Sequence, residues 1–219
     1  MLSLNIETSS NLTSVSLSDN HKIIKILNKD SDRPNHCEFL APMINKLFDC
    51  EPFSLNDITQ VRVNMGPGNL SSLRVGLATA NTISSIGRIP IYGISSFLLY
   101  AFSYRENFES LITLFDLRNN MFAYGKFIKV EDNLKLSEQN SSISAREMDS
   151  IDFKNSIIIG TGVSKLKSQF NNSKKLGLQY DSNYSIDSSS LAKVNLEEFS
   201  SQIIKKTPIM PFNSFSFVS

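Results

Sequence analysis

The sequence has no tryptophan, two cysteines and two histidines in 219 residues. Cys37 and Cys50 are too few for a disulfide framework, and their spacing fits no zinc pattern. We read both as reduced, structural thiols of a reducing compartment. His36 has no second histidine four residues on and no carboxylate cluster beside it, so no metal site is expected. No apolar run approaches the ~18 residues of a membrane span, and the opening Met1-Leu2-Ser3-Leu4-Asn5-Ile6 lacks a basic leader. No membrane association is expected, and the location expected is cytoplasmic. An excess of one charge is missing too: 22 basic against 21 acidic residues give a net charge of +1. A chain that holds RNA alone carries a basic surplus, because phosphate contacts supply most of its affinity. Any nucleic-acid contact is therefore expected to be indirect or weak. The best basic stretch, Lys165, Lys167, Lys174 and Lys175, reads as a solvated face.

What is present is a patterned α/β chain, 41 % apolar and rich in phenylalanine. Leu2, Leu4 and Ile6 share one strand face. Val15 and Leu17 recur at period two, and Lys22 to Leu27 gives a third run, so three strands open the chain as a meander. Asn35 caps a helix with Glu38 three residues on. Along it Phe39, Leu40, Met43, Ile44, Leu47 and Phe48 form one wide apolar face, interrupted by Pro42, where a kink is expected. A short turn at Ser54 and a strand from Ile58 to Val63 follow.

The most informative segment is Met65-Gly66-Pro67-Gly68-Asn69-Leu70-Ser71-Ser72-Leu73-Arg74-Val75-Gly76-Leu77-Ala78-Thr79-Ala80. It reads as a strand, a glycine turn and a helix capped by Asn69. Ser72, Gly76 and Ala80 make an i, i+4 row of small side chains. A helix-interior glycine costs roughly 1 kcal/mol relative to alanine. We read the row as a seat for a second helix, which repays that cost by packing closely.

A strand from Ile89 to Ile94 and a helix from Ser95-Ser96 complete the first half. The second half opens with a hairpin, Leu111 to Phe115 and Met121 to Val130. Residues 131 to 143 are polar and read as a loop. Ser144 to Glu147 is a capping box, and Ser156 to Ile159 a strand ending at Gly160-Thr161-Gly162. Residues 171 to 190 are rich in Asn and Ser. A helix is expected from Ser190 to about Lys205, and a last strand at Phe215 and Phe217. The division expected is into residues 1–107 and residues 108–219.

Four segments now carry a resemblance. The Met65 to Ala80 stretch resembles the GPGSFTGLRIGLATA stretch of the TsaB (YeaZ) family, the non-catalytic subunits of the bacterial machinery that makes threonylcarbamoyladenosine in tRNA. Leu4 to Ser9 is similar to the family's opening AIDTS, His36 to Pro42 to its HSExLxP helix, and Asp116-Leu117-Arg118 to its DAR turn. All four match in order and spacing across residues 1 to about 130. Glu7 stands where the family has Asp, Asn69-Leu70-Ser71-Ser72 where it has SFTG, and Asn120-Met121-Phe122-Ala123 where it has GEVY.

The resemblance implies a two-lobed, actin-like or Hsp70-like ATPase fold with a degenerate nucleotide site. It implies pairing with a TsaD-like catalytic subunit and a TsaE-like ATPase, with ATP and metal in those partners and no cofactor in this chain. The pairing helices would be residues 36 to 49 and 69 to 87, with His36, Phe39, Leu40, Met43, Leu70, Leu73, Arg74, Gly76, Leu77 and Ala80 at the contact. Leu40, Met43, Leu73 and Leu77 would be its anchors. A free chain exposing that face would self-pair, so a homodimer is a possible state.

Two enzymatic readings stand beside this one. Glu7-Thr8-Ser9 lies where the fold places a phosphate loop, and a small ATPase or sugar-kinase relative would use Glu7 as its magnesium acid. No glycine precedes Gly66, however, so close backbone approach to phosphate is not provided, and we read a structural turn. Gly66-Pro67-Gly68 before a helix could hold an anion, and we read it instead as a turn that aims the helix. Asp116 with Arg118 reads as a local ion pair. A metallopeptidase is disfavoured by the missing histidine pair. No Ser-His-Asp or Cys-His set is spaced for nucleophilic catalysis.

Overall fold

The computed structural model describes residues 1–31, 35–131, 133–151, 153, 155–170, 179–181 and 184–212. The elements run β1 (Leu2–Glu7), β2 (Thr13–Asp19), β3 (Lys22–Lys29), α1 (His36–Leu47), β4 (Gln60–Gly66), α2 (Leu70–Gly87), β5 (Ile91–Ser95) and α3 (Ser96–Ser103). Then come β6 (Ser110–Asp116), β7 (Met121–Val130), β8 (Asn133–Ser144), β9 (Ser156–Ile159), α4 (Val163–Phe170), β10 (Gln179–Asp181), α5 (Ser188–Lys193) and β11 (Ile203–Ile204). Two compact units form, one from Met1–Leu99 with Ile186–Phe212 and one from Tyr100–Ser185.

The first unit holds a six-stranded sheet in the order β11-β5-β4-β1-β2-β3. β1, β2 and β3 are the expected antiparallel meander, with Leu4 opposite Leu17. β4 joins β1 in parallel and β5 joins β4 in parallel. One face carries Leu4, Ile6, Val15, Leu17, Val61 and Val63, covered by Leu40, Ile44 and Leu47 of α1 and Leu73, Leu77 and Ala80 of α2. The alternate positions of β1 and β2 are Ser3, Asn5, Ser14, Ser16 and Ser18, and they are buried as well. Buried polar groups need partners. Asn5 Nδ2 donates to Ser16 O, Ser16 Oγ and Ser18 Oγ, and Ser14 Oγ bonds Ser188 Oγ of α5 at 2.8 Å.

α5 is what returns the chain to this unit, against the expected contiguous division at residue 107. It packs over β1 to β4, and β11 pairs with β5. The long helix expected from Ser190 to Lys205 ends at Lys193. There Arg62 Nη1 takes the carbonyls of Leu191, Ala192 and Val194 at 3.0 to 3.1 Å, in place of the amides that would continue the helix.

The second unit holds a five-stranded sheet in the order β10-β9-β6-β7-β8. Ile112, Leu114, Phe122, Tyr124, Ile158, Val163 and Leu166 form its core. The segment expected as a polar loop at 131–143 contains β8, an edge strand. Its order comes from the ladder to β7 rather than from burial, so apolar alternation was too faint to reveal it. The expected strand at Phe215 and Phe217, and much of the Asn- and Ser-rich segment, lie outside the described residues. Among the described residues no helix is long and apolar enough to cross a membrane.

Candidate docking face and the β1 loop

Taking α1 and α2 side chain by side chain separates an inward face from an outward one. Leu40 is 1 % exposed, Leu73 is 1 % exposed, and Met43, Leu77 and Ala80 are buried with them in the unit's own core. The four expected anchors are thus consumed within the chain, because a helix covering a sheet needs its one apolar stripe for that sheet. His36 is also buried, with Nδ1 at 2.8 Å from Thr13 Oγ1, and burial holds its pKa below the ordinary imidazole value. Phe39 is half-buried, with Lys29 Nζ 5.2 Å from its ring centre. Leu70 and Arg74 are the only two of the ten expected contact residues that are exposed.

The small row of α2 has a partner inside the chain. A Cβ on Gly76 would collide with Thr8 Oγ1, and that hydroxyl donates to the Ser72 carbonyl at 3.0 Å. Gly76 therefore lets α2 settle onto the loop after β1, and no second helix is required to explain it. Gly68 does the same at the helix entrance: a Cβ there would stand 2.5 Å from Ser9 O. Asn69 N donates to that same Ser9 carbonyl at 2.8 Å, and the Asn69 side chain accepts from Ser72 N.

Glu7 closes the other half of this loop. Its carboxyl is fully buried and turned inward, with Oε1 accepting from Ser9 N and Oε2 from Asn64 Nδ2, each at 2.6 Å. Asn64 is locked in turn, its Oδ1 accepting from Gly66 N and Ser96 Oγ. Burial pushes the Glu7 pKa up, opposed by the Ser9 and Asn64 hydrogen bonds. A phosphate loop needs free backbone amides and an acid open to magnesium. Here the Ser9 amide is taken by Glu7 and the Asn69 amide by Ser9, so Glu7, Thr8 and Ser9 do not fit a nucleotide. The structural turn is the reading the geometry supports.

Elsewhere, Asp116 pairs differently from expectation. Its Oδ1 accepts from the Arg118 backbone N at 2.8 Å and from Lys165 Nζ at 2.7 Å, so the ion pair is with Lys165. Cys37 and Cys50 are free, and both are exposed rather than packed. Among the described residues no three His, Cys, Asp or Glu side chains converge as metal ligands would.

The outward face of α2 is the unusual surface. Ser71, Arg74, Ala78, Thr82, Ser85 and Ile86 are exposed along it, with Leu70 at 42 % and Ile86 at 80 %. Its 18 residues contain one charge, Arg74, against one residue in five over the whole chain. Beside it α1 shows Ala41, Pro42 and Asn45 between the single charges of Glu38 and Lys46. Apart from Leu70 and Arg74, these outward positions were not among the expected contact residues. The signal was there, as a helix amphipathic enough to cover a sheet whose other side lacks the charge of a solvated face.

The chain's fold superimposes on YeaZ from Pseudomonas aeruginosa with a TM-score of 0.77 over 96 % of this chain and 98 % of that one, at 16 % identity. The class is the two-lobed actin- and Hsp70-like ATPase fold. The family model for TsaD, tRNA N6-adenosine threonylcarbamoyltransferase, matches residues 31–211, and the chain belongs to that family. Within it the chain is a homologue of TsaB/YeaZ. It is 34 % identical over 99 residues to the tRNA threonylcarbamoyladenosine biosynthesis protein TsaB of Buchnera aphidicola subsp. Baizongia pistaciae. That match covers 45 % of this chain and 44 % of the relative. The TsaB of Buchnera aphidicola subsp. Acyrthosiphon pisum is 21 % identical over 147 residues, 66 % of each chain. The matched part thus spans less than two thirds of these relatives' lengths.

Proposed function

We propose that this chain is a non-catalytic subunit that pairs with a TsaD-like threonylcarbamoyltransferase and, with a TsaE-like ATPase, supports modification of the adenosine beside the tRNA anticodon. The observation that carries the reading is the outward face of α2. A solvated helix face is ordinarily charged, whereas the centre of a protein interface is depleted of charge. A face with Arg74 alone loses little hydration when a partner covers it, and its short side chains Ser71, Ala78 and Ser85 let a partner helix come close. These are not the buried row of Ser72, Gly76 and Ala80, but a second set of small residues on the other side of the helix. Likeness to TsaB supports a TsaD-like partner, and the closed Glu7 loop supports assigning nucleotide and metal chemistry to the partners.

Docking onto α1 and α2 stabilises whichever conformation of the catalytic subunit presents the complementary surface, and so raises its activity by population shift. The direct test is size-exclusion chromatography with light scattering, on the chain alone and mixed with the catalytic subunit of the same cell. A one-to-one species is expected, formed at the expense of any homodimer and lost in Ala78→Arg. No complex at micromolar concentrations, with the ATPase and nucleotide present, overturns the proposal.

A further inference from the structure

The chain crosses the α2 side of the first unit once more after β11. Ile209 is bracketed there by one side chain: its N–H donates to Asn81 Oδ1 at 2.8 Å and its carbonyl accepts from Asn81 Nδ2 at 2.9 Å. The amide of a helix residue thus reproduces both hydrogen bonds of a strand rung. Ile209 itself is buried in the core, and Gly93 of β5 makes room for it, since a Cβ there would lie 2.7 Å from Ile209 Cγ2. Three residues on, Phe212 N donates to Met65 O at 2.6 Å, and the Phe212 ring packs edge-on against Phe97 with centroids 5.4 Å apart. Residues 208–212 are therefore a strap fastened at both ends.

Its position follows from the sheet order. The strap packs on β5 and the end of β4, α2 on β4 and β1, and α1 on β2 and β3. With strands in the order β5-β4-β1-β2-β3, the strap, α2 and α1 lie side by side in that sequence. At 100° per residue, Asn81 projects from the α2 flank that also carries Leu70 and Arg74, whereas Val75 and Ile83 lie on the opposite flank. Between the inward Ile209 and Phe212, Met210 turns out and is 63 % exposed.

We propose that the strap is a third element of the docking surface, held against α2 by Asn81 and contacting the catalytic subunit through Met210. This rests on the function proposed above, and the occupant is that same subunit. The strap adjoins the charge-poor α2 face along the flank of Asn81 and Arg74, and Pro208, Ile209, Met210, Pro211 and Phe212 contain no charge. Methionine suits such a place, because its flexible thioether adapts to an opposing surface. Asn81 acts as a positioning residue.

The experiment compares Met210→Glu, Asn81→Ala and Ala78→Arg in the full chain. Each is titrated calorimetrically with the catalytic subunit and unfolded in urea. Met210→Glu is expected to keep the unfolding midpoint and weaken pairing roughly tenfold or more, as loss of an interface anchor does. Asn81→Ala is expected to abolish hydrogen-exchange protection of the Ile209 amide and weaken pairing with it. Full affinity in Met210→Glu while Ala78→Arg has lost pairing overturns the strap's role and leaves the α2 face standing. Full affinity in Ala78→Arg as well overturns the functional reading and the strap with it. An unprotected Ile209 with undiminished pairing in Asn81→Ala overturns the latch. Should Met210→Glu shift the midpoint, Met210→Ser takes its place.

Discussion

Replacing Gly76 by alanine sets two sizeable effects against each other. In an isolated helix the change favours folding by about 1 kcal/mol, because glycine is the costlier helix residue. In this chain the new methyl group runs into Thr8 Oγ1. That hydroxyl cannot simply turn aside, since it donates to the Ser72 carbonyl at 3.0 Å in a buried site. Overpacking costs about 1–3 kcal/mol and an unmade buried hydrogen bond about 1–3 kcal/mol more. The net expectation is a loss of about 1–5 kcal/mol. In a Thr8→Ala background the clashing oxygen is gone, and the remaining Thr8 Cβ lies 3.4 Å from the added methyl group, close to ordinary contact. Gly76→Ala should then be neutral or stabilising, giving a coupling of about 1 kcal/mol or more in the double-mutant cycle. Without tryptophan the transition is best followed by far-ultraviolet circular dichroism, with amide exchange in β1 and α2 reporting on the first unit. Additive effects within about 0.5 kcal/mol would refute the claim that the small row seats the β1 loop.

Glu7→Gln tests the closed loop through pH. Because burial raises the native pKa of Glu7, the native state holds that proton more tightly than the unfolded chain does. The resulting stability is complete below the ordinary value of 4.5 and is lost as pH rises through the raised native value. Gln does not titrate, so its stability relative to the parent should climb as pH goes from acid to neutral, whatever fixed cost its amide incurs against Asn64. A pH-independent difference in urea midpoints would sink the assignment. Arg62→Met should cost about 2–3 kcal/mol, because three buried carbonyls at the end of α5 lose a charged donor. Limited proteolysis should then cut faster within residues 188–202, and an unchanged cleavage rate would speak against the helix-ending role.

Much of the first unit was legible. The meander, both long helices and the turn between β4 and α2 follow from period-two and 3.6-residue patterns and from Gly68 and Asn69. What escaped was set by distant partners. β8 is polar and ordered by its neighbour β7, and α5 stops where Arg62, about 130 residues earlier in the chain, reaches its last carbonyls. Ser14 of β2 is buried because the Ser188 hydroxyl and backbone N–H of α5, 174 residues on, meet its side chain.

The four anchors expected at a partner contact lie in the core of the first unit, and the reason generalises to any helix that covers a sheet and meets a partner. Such a helix has one apolar stripe, and the chain's own core claims it first, as Leu40, Leu73 and Leu77 show. A partner that binds reversibly is met by the opposite side, which must also stay soluble when bare, so it cannot announce itself with leucines. It announces itself by missing charge. Across α2 that deficit is one charged residue in 18, and it falls on the side where the protein spends nothing on its own stability. Charge placed there, as in Ala78→Arg, should therefore leave folding intact and remove pairing, whereas bulk placed at Gly76 should damage folding first. The contrast between those two variants, two residues apart on one helix, separates an interface from a core more sharply than either variant alone.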